Sequence, residues 1–241
     1  MFCQGIGAGF GAVWTCLDSD IVGIDPETAE LGAPIAAGKA AEQGHLATGF
    51  DRVWVLTGDG STLAGIDPQA GTVAEEIALD ARYTDVAVDG TSVWLACSHD
   101  DVVLRVNPTT ESVADRIDVV EPRGIAFSSG AVWVGAASMV ARVDPATMVV
   151  VATIDGGTGR VGGIDADDTG VWVRRAGAPL IRIDPVTNDV TDELDLGVLS
   201  GGDVLVAHGA AWTTAYDDAA LFRIELNSTR GRGAQAHPRG A

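Results

Sequence analysis

The sequence has few basic residues, few cysteines and no long apolar run. It contains 15 Lys and Arg against 34 Asp and Glu, which gives a net charge of −19. A charge of this sign repels phosphate backbones, so nucleic-acid binding is excluded. No apolar run approaches the roughly 18 residues of a membrane span, so we expect no membrane contact. Three cysteines argue against a disulfide-built scaffold, and Cys3, Cys16 and Cys97 are interpreted as small apolar side chains.

Tryptophan is infrequent but regularly spaced. The six tryptophans are Trp14, Trp54, Trp94, Trp133, Trp172 and Trp212. The steps between them are 40, 40, 39, 39 and 40 residues, so the chain consists of six repeats. A turn motif follows each of the first five: Asp25-Pro26, Asp67-Pro68, Asn107-Pro108, Asp144-Pro145 and Asp184-Pro185. The sixth copy, Ile224-Glu225-Leu226, has lost this turn.

Each repeat reads as four short strands. In the fourth repeat we predict strands at residues 124–127, 131–134, 140–143 and 149–154, with Asp-Pro-x-Thr as the last turn. No segment combines a 3.6-residue period with a cap, so essentially no helix is expected. Four antiparallel strands about every 40 residues are typical of a propeller blade.

We therefore predict an all-β fold, a β-propeller of six four-stranded blades in a single domain over residues 1–227. Residues 228–241 are rich in Gly and Arg and are predicted to be a flexible tail. About 23 of the 24 strands can be found, so an incomplete seven-bladed propeller is the alternative. The tryptophans are expected to be buried, because one large flat side chain per repeat fills the gap between neighbouring sheets.

Two repeats carry a recognisable motif. Residues 131–134 with 140–147, and 171–173 with 181–187, read Val-Trp-Val followed by x-Arg-Val/Ile-Asp-Pro-x-Thr. This pattern resembles the YVTN (YncE-like) and virginiamycin B lyase-like β-propeller repeat superfamily, over nearly the whole chain. The resemblance implies a propeller, and its lyases imply a metal, a histidine and a glutamate at the channel mouth. No glutamate accompanies His45 or His99 at matching spacing, so no catalytic residue is predicted.

The candidate site lies where the first strands of a propeller begin, around the mouth of its channel. Nine residues before the tryptophans stand Gly5, His45, Asp85, Gly124, Gly163 and Asp203, and Arg123 lies ten before Trp133. An imidazole and two carboxylates can bind a divalent cation such as Mg²⁺ or Ca²⁺, so His45, Asp85 and Asp203 are the candidate metal ligands. The alternative is that these residues hydrate a water-filled channel.

The loops between strands two and three are expected at the same mouth. They are acidic in four repeats, at Asp18, Asp20, Asp59, Asp100, Asp101, Asp217 and Asp218, with His99 and Tyr216 among the acids. Arg174 and Arg175 would add one basic sector. Such a surface suits a cationic ligand or a basic partner. The alternative is that it is only a solvated acidic surface. The candidate ligand-binding residues are His45, Asp85, Arg123, Asp203, Asp59, His99 and Arg175.

Two functions follow. The first is a non-catalytic binding or interaction module that presents this loop-rich acidic surface, around the channel, to a small ligand or a protein. The alternative is a metal-dependent lyase or hydrolase with its site at the channel mouth, and the sequence leaves open whether the protein is an enzyme. A fragment or engineered ring without a role of its own is a third possibility. We expect a monomer, cytoplasmic as the sequence is written, or extracytoplasmic if the N-terminus is truncated.

Overall fold

The computed structural model describes residues 5–17, 19–41, 45–155, 161–177, 179–207, 209–215, 217–218 and 220–226. These residues form 23 β-strands in six antiparallel sheets, and one three-residue 3₁₀ turn at Gly58–Gly60. The fold is the predicted all-β class, a β-propeller with six blades. Among the described residues, no helix is long and apolar enough to cross a membrane.

The chain divides into two compact units, Met1–Pro122 with blades 1–3 and Arg123–Ala241 with blades 4–6. Blade 1 contains β1 (Ile6–Gly9), β2 (Ala12–Leu17), β3 (Asp20–Ile24) and β4 (Ile35–Ala36). Blade 2 contains β5 (Leu46–Gly49), β6 (Arg52–Thr57), β7 (Thr62–Asp67) and β8 (Thr72–Ala78). Blade 3 contains β9 (Asp85–Val88), β10 (Val93–Cys97), β11 (Val102–Asn107) and β12 (Ser112–Asp118).

Unit 2 repeats this arrangement. Blade 4 contains β13 (Gly124–Ser128), β14 (Ala131–Gly135), β15 (Met139–Asp144) and β16 (Val149–Asp155). Blade 5 contains β17 (Val161–Asp167), β18 (Gly170–Arg175), β19 (Leu180–Ile183) and β20 (Val190–Leu194). Blade 6 contains β21 (Val204–Ala207), β22 (Ala210–Ala215) and β23 (Ala220–Glu225).

Every sheet is a meander, with consecutive strands side by side. The four strands predicted for the fourth repeat agree with β13–β16 to within a residue. Blade 6 has three strands among the described residues, in line with the count of 23. The predicted tail, residues 228–241, lies outside the described residues.

The core lies between neighbouring sheets of the same unit. Trp54 belongs to a buried cluster with Val93 and Leu95 of blade 3, and Trp133 clusters with Val171 and Val173 of blade 5. Trp14 and Trp172 pack in the same way onto blades 2 and 6. Five tryptophans are buried and Trp212 is half-buried. The prediction that the rings fill the gaps between sheets is confirmed for Trp14, Trp54, Trp133 and Trp172.

Strand three adds a second contact to four tryptophans. An arginine guanidinium lies over each of these rings, 5.2 to 5.8 Å from its centre: Arg105 over Trp94, Arg142 over Trp133, Arg182 over Trp172 and Arg223 over Trp212. Blades 1 and 2 have Gly23 and Gly65 at this position. The arginine of the Arg-Ile-Asp-Pro motif is therefore a packing residue, a role that the repeat pattern alone does not assign.

The Asp-Pro turns close as predicted. The Asp67 carboxylate accepts hydrogen bonds from the main-chain N–H groups of Gln69 and Ala70, at 2.8 and 2.9 Å. These N–H groups hold the pKa of Asp67 below its ordinary value. In blade 3 the side chain of Asn107 makes the same turn without a charge. The recurring aspartate of this turn is thus explained by the fold.

The interpretation of the cysteines as small apolar side chains agrees with the structure for Cys97 but is wrong for Cys16. Cys97 is buried and free, as a small core side chain would be. Cys16, however, is disulfide-bonded, which the odd cysteine count did not suggest. Cys3 lies outside the described residues.

Candidate functional site

The two ends of each blade carry different connections between strands. At one end lie the turns between strands one and two and between strands three and four. At the other end, called the loop end below, strand one begins and strands two and three are joined. Within each unit the first strands of neighbouring blades contact each other: β1 with β5, β5 with β9, β13 with β17 and β17 with β21. Residues at the starts of adjacent first strands are therefore neighbours.

The structure brings His45 and Asp85 together at the loop end of unit 1. His45 immediately precedes β5 and Asp85 begins β9. The imidazole Nδ1 lies 2.6 Å from Oδ1 of Asp85. Asp85 is 1% exposed, whereas the His45 side chain is 16% exposed. The pair therefore combines a buried carboxylate with a ring that reaches solvent.

Main-chain groups hold the carboxylate in place. Oδ1 of Asp85 also accepts hydrogen bonds from the N–H of Val86 at 2.9 Å and from the N–H of His45 at 3.3 Å. A buried carboxylate is tolerated only when it is hydrogen-bonded, and these donors meet that requirement. The carboxylate in turn fixes the orientation of the imidazole ring.

Unit 2 has an equivalent pair of positions, with Gly163 in place of His45 and Asp203 in place of Asp85. Asp203 Oδ1 accepts the N–H of Val204 at 2.8 Å, the bond that Asp85 makes to Val86. Glycine stands at the histidine position, and a Cβ on Gly163 would lie 2.0 Å from Asp203 Oδ1. Gly5 and Gly124 also occupy this position, so the blades form without a side chain there. The fold therefore does not require the imidazole of His45.

Asp59, His99, Asp100 and Asp101 are exposed, whereas Asp20 is half-buried at the start of β3. Asp59 forms an ion pair with Lys39 at 3.0 Å, which holds the pKa of Asp59 below its ordinary value. Asp101 accepts the N–H of Glu121 at 2.7 Å. His99 and Asp100 are exposed in the loop between β10 and β11. Asp59, Asp100 and Asp101 are thus exposed carboxylates at the loop end of unit 1.

A further cluster at this end was missed from the sequence. Tyr83 is 1% exposed, and its hydroxyl donates to Asp80 at 3.1 Å. Burial and Asp80 raise the pKa of Tyr83, and Arg116 of β12 also binds Asp80, which lowers the pKa of that carboxyl. The cluster ties the connection between blades 2 and 3 to an outer strand. No spacing motif marks it.

The placement of Arg174 and Arg175 on an exposed loop is wrong. Both are the last residues of β18, and both are fully buried. Arg174 donates to the main-chain carbonyls of Arg175 and Ser200, so the chain itself supplies acceptors for its guanidinium. Burial lowers the pKa of Arg175, and the charge of Asp155 opposes that shift. The predicted basic sector is absent from the described surface of blade 5.

The remaining candidates lie in unit 2 or outside the described residues. Arg123 is half-buried, and its N–H donates to the carbonyl of Gly135. Asp217 and Asp218 are exposed, and Asp218 accepts the hydroxyl of Ser200 at 2.6 Å. Asp18 and Tyr216 lie outside the described residues.

The metal site on His45, Asp85 and Asp203 stays a prediction. Asp203 belongs to unit 2, so the structure brings together two of the three residues in one unit. In the part of the chain that the structure describes, no group of three or more His, Cys, Asp or Glu side chains is arranged to hold a metal ion.

Comparison with known proteins supports the fold. No protein-family model matches the chain, and no curated protein matches it. A chain in a crystal structure of the mitotic checkpoint complex is similar at 12% identity and a TM-score of 0.77, covering 99% of this chain and 80% of that one. A chain of hydrazine synthase from Kuenenia stuttgartiensis is similar at 12% identity and a TM-score of 0.68, covering 93% and 76%. At this identity the likeness shows the β-propeller fold alone.

Proposed function

We propose that this protein is a β-propeller binding module whose recognition site lies at the loop end of unit 1, around His45 and Asp85. One observation carries the proposal. A buried carboxylate holds a partly exposed imidazole at a position where three other blades have only glycine. A carboxylate and an imidazole that the fold does not require, placed where two strands of a rigid scaffold begin, form a candidate binding site.

The surrounding charge suggests the class of ligand. Asp59, Asp100 and Asp101 are exposed at the same end of unit 1, in a chain of net charge −19. Acidic loops favour a cationic group, and the imidazole adds a hydrogen-bonding group. The ligand is therefore a small polyamine-like cation, or a lysine or arginine side chain on a protein partner.

The experiment measures thermal stabilisation by spermidine. A ligand that binds only the folded state stabilises it by RT ln(1 + [L]/Kd), about 2.7 kcal/mol at a hundred times Kd. Asp85→Asn should remove the shift in melting temperature because it weakens the contact that positions His45. Asp203→Asn is the matched control, because Asp203 makes the same local bond without an imidazole beside it. No shift in the wild type, or equal losses in both variants, would contradict the proposal.

The same pair favours a second candidate, the metal-dependent lyase or hydrolase implied by the virginiamycin B lyase-like resemblance. A histidine oriented by a carboxylate is a common arrangement in metal sites. Melting with Mg²⁺, Ca²⁺ or Mn²⁺ against a chelator separates the candidates. Stabilisation by an ion but not by spermidine, abolished by His45→Ala, would favour the enzyme.

A further inference from the structure

The outer strand of blade 4 differs from the other outer strands. β16 spans Val149–Asp155 and pairs with β15 on one side. Within the described residues no strand pairs with its other side. An outer strand with unpaired N–H and C=O groups is a template for another chain, and proteins protect such edges with charged side chains and bulges.

Equivalent positions can be compared through the strand register. The outer strands of blades 2, 3, 4 and 5 face strand three with a bulge at the same place. At the position equivalent to Thr153, the outer strands of blades 2, 3 and 5 carry a charged residue: Glu76, Arg116 and Glu193. Blade 4 is the exception, because an uncharged threonine faces Ala141 there.

Two other residues of the exposed row of β16 are valines, and the row ends at Asp155. Val149 and Val151 are 52% and 53% exposed. At the position of Val149 the strands β8 and β12 have Thr72 and Ser112. At the bulge, where β16 has Val151, the other strands have alanine or threonine. β16 thus keeps the bulge but lacks the mid-strand charge that its counterparts carry at the position of Thr153, and it exposes β-branched side chains suited to cross-strand packing.

We infer that the outer edge of β16 is a docking site for an extended segment of a basic partner protein, which adds a strand to blade 4. Main-chain hydrogen bonds to the edge would provide affinity, and valine contacts would provide register. This surface is separate from the site around His45, and the inference does not depend on that site.

Charge selects the occupant. Asp144 lies opposite Val149 at one end of the edge, and Asp155 lies at the other end. The turn N–H groups hold the pKa of Asp144 below its ordinary value, so its carboxyl is ionised at neutral pH. A second copy of this chain would bring another charge of −19 to the edge, and like charges oppose such pairing. A segment with apolar residues in the middle and lysine or arginine at its ends fits both features.

The probe is a fluorescein-labelled peptide of five alternating valines and threonines with two lysines at each end. Fluorescence anisotropy at physiological salt measures its binding to the full chain. Thr153→Arg copies the residue of blade 3. It should weaken binding about tenfold, because the arginine repels the lysines of the peptide and obstructs the edge of β16. Thr72→Arg on β8 adds the same charge elsewhere and should leave binding within about twofold, since its contribution is screened. Melting curves check that both variants fold.

Four results would overturn the inference. The first is no binding by the wild type, and the second is equal weakening by Thr153→Arg and Thr72→Arg, which would indicate unspecific attraction. The third is equal binding of a peptide with proline at its centre, because proline removes a main-chain donor. A dimer in sedimentation equilibrium that Thr153→Arg dissociates would make a second copy the occupant, and would also overturn it.

Discussion

Asp89 makes an unusual contact with the tryptophan of its blade, and Asp89→Asn tests what that contact contributes. Five residues before four of the tryptophans, a main-chain carbonyl accepts the indole N–H, at 3.0 to 3.4 Å. In blade 3 the carboxylate of Asp89 does this instead: Oδ2 accepts Trp94 Nε1 at 2.8 Å. Asp89 is 8% exposed and Trp94 is fully buried.

The expected loss of stability in Asp89→Asn follows from the contacts of the other carboxylate oxygen, Oδ1. Oδ1 accepts the N–H of Thr91 at 2.5 Å, its hydroxyl at 2.8 Å and the N–H of Ser92 at 2.6 Å. In Asp89→Asn the amide oxygen stays with these three donors, so the amide NH₂ faces the indole N–H. A buried donor then loses its acceptor, and the free energy of unfolding should fall by about 1–3 kcal/mol.

Asp167→Asn is the matched control. Asp167 Oδ1 accepts the N–H of Thr169 at 2.8 Å and the N–H of Gly170 at 3.2 Å, so it makes the same kind of turn. Trp172 Nε1, however, has no hydrogen-bond partner among the described residues. The same substitution should therefore change stability by about 0.5 kcal/mol or less.

Urea unfolding at pH 7, followed by far-ultraviolet circular dichroism, measures both variants. The shift of the unfolding midpoint at constant m-value gives the change in stability. The indole N–H resonance of Trp94 should also move in Asp89→Asn. Equal destabilisation by Asp89→Asn and Asp167→Asn would refute the reasoning, because only the turn would then matter.

Two further predictions concern turns at the opposite end of the blades. Turn N–H groups lower the pKa of Asp67, so its stabilising contribution is complete above about pH 4 and is lost as the pH falls through the lowered value. Asp67→Asn keeps the turn, as Asn107 does in blade 3, but removes the charge, so it should lower the melting temperature slightly at pH 7 and reduce its fall between pH 4 and pH 2. Phe10 is 48% exposed at φ 53° and precedes Gly11 at φ 75°; Phe10→Asn should raise stability by about 1 kcal/mol in urea unfolding, because Asn-Gly suits this left-handed turn.

Much of the fold could be predicted because a propeller repeats the same blade structure six times. A ring at each gap between sheets demands tryptophan at a fixed period, and the turn before strand four demands Asp or Asn. The period and the turn residue therefore predict blade number, strand order and the burial of Trp54 or Trp133. Neither pattern predicts the disulfide of Cys16, since a cysteine count does not show which thiols lie close together.

The candidate site was predictable in part. The period of 40 residues places His45 and Asp85 at equivalent starts of adjacent first strands, so their proximity follows from the fold. Their 2.6 Å contact depends on side-chain orientation, which the period does not determine. Arg174 was misplaced for a related reason. Its burial depends on the carbonyl of Ser200, which lies 26 residues later and in no repeated position.

The repeats also separate residues that the fold requires from residues that it does not, provided that exposure is considered as well. Asp89 departs from its counterparts, yet its two oxygens serve a turn and a buried indole, so its departure is structural. His45 departs by adding a partly exposed ring where glycine is sufficient. Val151 departs by exposing an apolar surface beside an unprotected edge. Only the last two departures leave chemistry available to another molecule, and for that reason binding is proposed there and stability is tested at Asp89.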